Sequence, residues 1–120
     1  MDRRDHSTVT GLMIDDVDFQ LSASCVGKSA VAAVLERRGT ARRSRHIVTN
    51  IVAEPDAGGD VLVTYLLTVY GADIRGDGAL PMAVPTVIAD VACRVREIEN
   101  RLLFVSMRSE KIFVSMDYPH

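Results

Sequence analysis

The stretch RHIVTNIVAEPDAGGDVLVTYLLTVYG, residues 45–71, holds two valine-, isoleucine- and threonine-rich runs on either side of PDAGGD. Such residues suit a pleated, half-buried surface, and a proline followed by paired glycines suits a reversal of the chain. The spacing therefore predicts two antiparallel strands joined by a hairpin or a slightly longer turn. The second run is apolar at Val61, Val63, Tyr65, Leu67 and Val69, but also at Leu62, Leu66 and Tyr70. A strand apolar on both sides needs cover on both sides. One cover can be a helix. The other is expected to be a second copy of the chain packed on the outer face of the 45–70 hairpin, which makes a homodimer.

Working outward, VGKSAVAAVLERRG (26–39) places Val31, Val34 and Leu35 on one stripe and ends in a glycine suited to a C-cap, so it predicts a helix, with Ser29 as a candidate N-cap. Residues 2–13, DRRDHSTVTGLM, permit a short amphipathic helix with Val9 over Leu12 and Met13. DDVDFQLSA reads as a turn passing into a strand. Beyond the hairpin, GADIRGDGALPMAVP is a loop, and TVIADVACRVREI and LLFVSMRSEKIFVSM supply two more strands around an ENR turn. The order predicts an α+β fold, with helices over one face of an antiparallel sheet.

At 120 residues the chain is expected to be a single domain, 1–120. A net charge of -2, no tryptophan and few phenylalanines argue against a nucleic-acid surface. Two cysteines, Cys25 and Cys93, form neither a disulfide framework nor a zinc pattern, so a reduced, cytoplasmic setting without a metal is expected. No apolar run is long enough to cross a bilayer, and residues 1–11, MDRRDHSTVTG, are polar and supply no apolar h-region, so neither export nor membrane anchoring is expected.

Four groups invite chemistry. Gly27, Lys28 and Ser29 match the end of a phosphate loop, but the upstream glycine it requires is Ser22, and the motif fails. Arg37, Arg38, Arg42, Arg43 and Arg45 lack aromatic interleaving and read as a solvated face or an ion-pair network. Asp15, Asp16 and Asp18 lack the remaining ligands of a calcium loop and read as a polar turn. His46 differs in kind. Strand alternation puts His46, Val48 and Asn50 on one face and Ile47, Thr49 and Ile51 on the other. An imidazole and an amide beside valine need hydrogen-bond partners when buried, which a polar cavity supplies. A histidine exchanges protons near neutral pH, and a carboxylate on its second nitrogen fixes the tautomer. Asp2 and Asp5 are candidates for that carboxylate, and His6 shares a helical face with Asp2.

MDRRDHSTVTGLMIDDVDF, VGKSAVAAVLERRG and SRHIVTNIVAEPDAGGDVLVTYLL, taken in order, resemble the SnoaL-like group of the nuclear-transport-factor-like fold, which includes ketosteroid isomerase and scytalone dehydratase. The resemblance covers residues 1–70 and implies a cone-shaped, curved antiparallel sheet packed against two or three helices. It also implies a further helical stretch ahead of the matched segment, so that this chain starts inside that helical region. In dehydratase members a cavity between helices and sheet holds an aspartate and a histidine. Asp2 matches the first and His46 the second. Such a pair implies dehydration or double-bond isomerisation of a small-molecule substrate without a cofactor. The aromatic residue expected before the aspartate is replaced by Met1. A second histidine expected near the end of VLVTYLLTVYG is absent. Tyr70 stands nearest to that place, while Tyr65, five positions earlier, faces the other side of the strand if alternation is unbroken. Either tyrosine could donate a hydrogen bond to an enolate oxygen. The same fold also serves as a non-catalytic ligand-binding or subunit-assembly domain, which is the alternative expectation.

Overall fold

The computed structural model describes residues 5–21, 24–38, 42–82 and 84–116. Its elements run α1 (His6–Gly11), β1 (Met13–Gln20), β2 (Ser24–Val26), α2 (Lys28–Glu36), β3 (Arg42–Pro55), β4 (Val61–Asp73), β5 (Val87–Ile98) and β6 (Arg101–Val114). The strands form a single sheet in the order β2-β1-β6-β5-β4-β3. All neighbouring pairs are antiparallel except β1 and β6, which run parallel. The expected all-antiparallel sheet is thus corrected at one junction. The stretch DDVDFQLSA, read as a turn passing into a strand, is strand already at Asp15, within β1 (Met13–Gln20). Asp15 and Asp16 lie where the β1–β6 register shifts between Met13 and Asp18, and pairing with residues some ninety positions away overrides the local turn signal.

The hairpin of residues 45–71 forms as expected, and it is longer than expected, since β3 and β4 pair from Arg42↔Asp73 to Pro55↔Val61. Asp56 organises the turn. Its carboxylate accepts from the Gly58 and Asp60 backbone N–H groups, and its own N–H donates to the Asp60 carbonyl at 2.8 Å. Arg94 of β5 pairs with Asp56, and Arg96 donates to both oxygens of Asp60 at 2.8 and 3.2 Å. The Arg96 guanidinium holds the Asp60 carboxyl below the usual carboxylate range. Asp60 is covered by these partners and not by apolar core, so the pairs fix the hairpin against β5 at its water-facing end. The ENR turn closes β5 onto β6 with Glu99 and Asn100 both at positive φ, as a two-residue hairpin turn demands.

The helices cover one face of the sheet, here called inner. Val31 and Leu35 of α2 bury against Met13, Val17, Phe19 and Cys25, with Phe104 and Met107 of β6 beside them. Phe19 meets Phe104 edge to face at 6.0 Å between ring centres. A second cluster continues along the same face through Val87, Ala89, Val91 and Cys93, with Val63, Tyr65, Leu67 and Val69 packed on it. The predicted stripe on α2 is therefore the buried one. Its start is different: Ser29 lies inside the helix, whose N-cap is Gly27 at φ 96 with no side-chain cap. Glycine alone takes that angle cheaply, and the Gly27 N–H donates to the Val17 carbonyl at 2.6 Å, tying the helix entry to β1. Gly39, the expected C-cap, lies outside the described residues. Of the helix expected over 2–13, residues 2–4 lie outside the described residues; α1 runs His6–Gly11, and Asp5 caps it by accepting from the Thr8 amide at 3.3 Å and the Thr8 hydroxyl at 2.8 Å. Those bonds from Thr8, with one from Ser7, lower the Asp5 pKa.

One irregularity in β3 governs what its side chains face. The register runs unbroken from Arg42 to Thr49 and then shifts before Val52, so Asn50 and Ile51 together stand against Tyr65. Asn50 has φ 56, in the left-handed region that asparagine tolerates better than other side-chain-bearing residues. This is a β-bulge. Asn50 therefore does not continue His46's face as simple alternation predicts. A β-branched residue resists this angle, so Asn50→Val is expected to cost about 1–2 kcal/mol and Asn50→Gly clearly less. Equal urea midpoints for the two variants would show that the angle does not matter.

Candidate functional site

Cross-strand register defines the inner face rung by rung. His46 stands opposite Val69, which pairs with Val87, which pairs with Val114. Val48, Leu67, Ala89 and Lys111 form the next rung. Tyr65, Val91 and Ser109 follow beyond it, and then Ala53, Val63, Cys93 and Met107. His46 is half-buried over a floor of valine, leucine and alanine. This is the surface the helices cover at its other end.

Tyr65 shares that face, as even spacing from Val69 requires, whereas Tyr70 pairs with Arg45 on the outer face. Of the two tyrosines weighed from sequence, only Tyr65 is on His46's side. The structure does not bring it to His46. Four residues of strand separate their rungs, about 13 Å at the usual rise. The Tyr65 hydroxyl instead accepts from the Cys93 thiol at 3.9 Å, one rung further from His46. Burial pushes the Tyr65 phenol well above its ordinary range, with the neighbouring thiol adding to the effect. Burial likewise raises the Cys93 thiol, partly offset by its bond to Tyr65. Both groups stay protonated at neutral pH, so Tyr65 is a neutral hydrogen-bonding group and Cys93 is no thiolate nucleophile. Asp2, the expected carboxylate, lies outside the described residues. Asp5 is engaged in capping α1, and His6 is half-buried on that helix.

A groove of about 590 Å³ lies on the opposite, outer face. Thr64, Ala92 and Arg108 share one rung of its floor and Leu66, Asp90 and Glu110 the next, with Asn50 and Gln20 at its sides. The bulge has turned Asn50 into this groove, away from His46. Arg108 is held by Asp18 across the strand pair. Among the described residues no cluster of histidine, cysteine and carboxylate side chains could hold a metal, and no helix is long and apolar enough to cross a membrane.

Sequence reasoning missed the polar surroundings of the His46 rung. Arg42 and Ser44 precede His46 by four and two residues in unbroken register, so all three share its face. Counting back from His46 would have found them. Lys111 could not be found this way, because irregularities in the β5–β6 pairing at Ile88/Ala89 and Arg94/Val95 decide which of its neighbours face inward.

A six-stranded curved sheet with its helices on one face, entered by two short helical elements, is the cystatin-like, nuclear-transport-factor-like α+β fold that the sequence resemblance implied. Solved structures share it at low identity. ActVI-ORFA from Streptomyces coelicolor is 18% identical over 92% of this chain and 86% of its own, with a TM-score of 0.78. A candidate scytalone dehydratase from Novosphingobium aromaticivorans is 14% identical, covering 99% of this chain and 77% of its own, with a TM-score of 0.78. A protein of unknown function with a cystatin-like fold from Nostoc punctiforme is 20% identical, covering 98% and 82%, at a TM-score of 0.69. No family model and no curated protein matches the sequence. At these identities the likeness establishes fold and not activity.

Proposed function

We propose that the chain is a small-molecule lyase or isomerase that uses His46 for general acid–base chemistry on the inner face of the sheet. The observation that carries this reading is the place of His46: a half-buried imidazole on an apolar floor, on the face whose other end the helices cover. There a proton leaves the carbon beside a substrate carbonyl for the imidazole, a double bond forms, and the proton passes to the departing hydroxyl, which leaves as water. Returning the proton to another carbon gives isomerisation. Neither outcome consumes an oxidant or a cofactor. Asp2 is the proposed carboxylate partner of His46. Tyr65 bounds the far end of the floor as a neutral donor. The candidate scytalone dehydratase of the same fold supports the reaction class. The distance between the rungs of His46 and Tyr65 favours one other reading, a ligand-binding domain that holds its guest without turning it over.

Screening cyclic hydroxy-ketones for water loss or a double-bond shift, with wild type, His46→Ala and Asp2→Asn in parallel, tests the proposal. Turnover by the wild type that His46→Ala loses supports it. Equal turnover by both removes His46 from the mechanism, and saturable binding with no turnover favours the binding domain.

The proposal includes a homodimer through the outer face. Ile47 and Val52 stand there 47% and 50% exposed, on either side of the bulge that borders the groove. Light scattering at micromolar concentration should report twice the chain mass, and Val52→Lys should return it to the monomer value. A monomeric wild type would rule this arrangement out.

A further inference from the structure

The inner face has a polar corner beside the His46 rung, and it rests on a missing side chain. Gly71 faces Ser44 in the β3–β4 ladder, one step beyond Val69 and His46. A Cβ at Gly71 would lie 3.1 Å from Nη2 of Arg42 and 3.6 Å from Oγ1 of Thr86, so the guanidinium and the threonine hydroxyl share the space above the glycine. Arg42 thus lies across β4 in place of a side chain. Thr86 is fixed there by backbone bonds, its N–H donating to the Val69 carbonyl at 2.7 Å and its own carbonyl accepting from Ser115 at 2.9 Å. Among the described residues, Arg42 Nη1 reaches the Asp73 carboxylate at 3.5 Å. Both side chains of that pair are more than half exposed, at 53% and 67%, and exposed pairs of this length are weak. A guanidinium can grip an arriving carboxylate through two parallel hydrogen bonds.

We propose that Arg42, with Thr86 and Ser44 beside it over Gly71, selects ligands that carry a carboxylate or comparable anionic oxygen on a flat apolar body. The anion sits at the corner and the body lies over Val69, Val87 and Leu67. One rung of strand, about 7 Å, separates the corner from His46, which suits a ring system bearing its acid at one edge and its reacting carbon over the imidazole. The inference deepens the proposed function, since it takes the inner face to be the site, but it concerns binding and is read without turnover.

The test is binding of naphthoate and of its neutral methyl ester, followed by amide shifts in NMR spectra of the whole chain. Wild type is expected to prefer the acid about 5–30-fold, as one charge-assisted contact allows. Arg42→Gln should abolish the preference, and Arg42→Lys should recover part of it. Arg45→Gln, on the outer face, should leave the preference intact and so excludes general attraction to a basic surface. Equal binding of acid and ester by wild type, no binding of either, a preference surviving in Arg42→Gln, or its equal loss in Arg45→Gln would each overturn the assignment. Failure here leaves the acid–base reading standing if His46→Ala still abolishes turnover. Loss of that reading leaves the anion corner standing if the preference depends on Arg42.

Discussion

His46→Ala is expected to lower kcat on a competent hydroxy-ketone about 10²–10⁴-fold, the range that one positioned acid–base group contributes. The floor beneath the imidazole is built by Val69, Val87 and Val114 and not by His46 itself, so KM should move far less than kcat. His46→Gln sharpens the result. It keeps a polar side chain on the rung but cannot carry a proton, and it should fall with the alanine variant. A glutamine variant that retains most of the turnover would show that His46 only positions a substrate or satisfies neighbouring groups.

The second large effect is on stability. Leu35 is 1% exposed at the centre of the contact between α2 and the sheet, against Met13, Val17, Phe19 and Val31. Leu35→Ala removes its transfer free energy and leaves a cavity in a cluster held on the sheet side by strand pairing, with an expected loss of about 2–5 kcal/mol. Small domains are stable by only about 5–15 kcal/mol, so much of the reserve goes. The nine-residue helix has no means of standing alone, because helices of that length are marginal in water and depend on the face they bury. Urea denaturation should show a lower midpoint at an unchanged slope. Ala33→Ser, on the exposed side of the same helix, should change stability by less than about 0.5 kcal/mol. A midpoint for Leu35→Ala equal to wild type would mean that α2 is not docked through this stripe.

What the sequence made legible was what depends on near neighbours. The hairpin of residues 45–71 follows from β-rich runs around a proline–glycine turn, and the α2 stripe from Val31, Val34 and Leu35 at helical spacing. What stayed hidden depends on distant partners. The parallel pairing of β1 with β6 joins residues far apart in the chain, so the start of DDVDFQLSA looked like a turn leading into the strand rather than part of it. The helix start moved from Ser29 because Gly27 makes a turn that its contact with Val17 rewards. At the candidate site, alternation placed His46 correctly relative to Ile47 and Val48 and failed at Asn50, where the bulge intervenes. Alternation puts Tyr65 and Tyr70 on opposite faces, but which of them shares His46's face needed the β3–β4 register, and the corner over Gly71 needed Arg42 to cross to another strand.

The bulge at Asn50 and Ile51 also solves a problem of parity. His46 and Ala53 are seven residues apart, an odd number, yet both face inward, one opposite Val69 and the other opposite Val63. Two ends of one strand are under separate orders: the Asp56–Asp60 turn fixes the phase at one end, and the His46 rung requires a phase at the other. A strictly alternating strand can obey only one of them. The extra residue absorbs the half-period between them, so the two ends can be varied independently as long as it is kept. Removing either Asn50 or Ile51 would force a choice between a correctly closed turn with the imidazole outside and an inward imidazole with a mispaired turn.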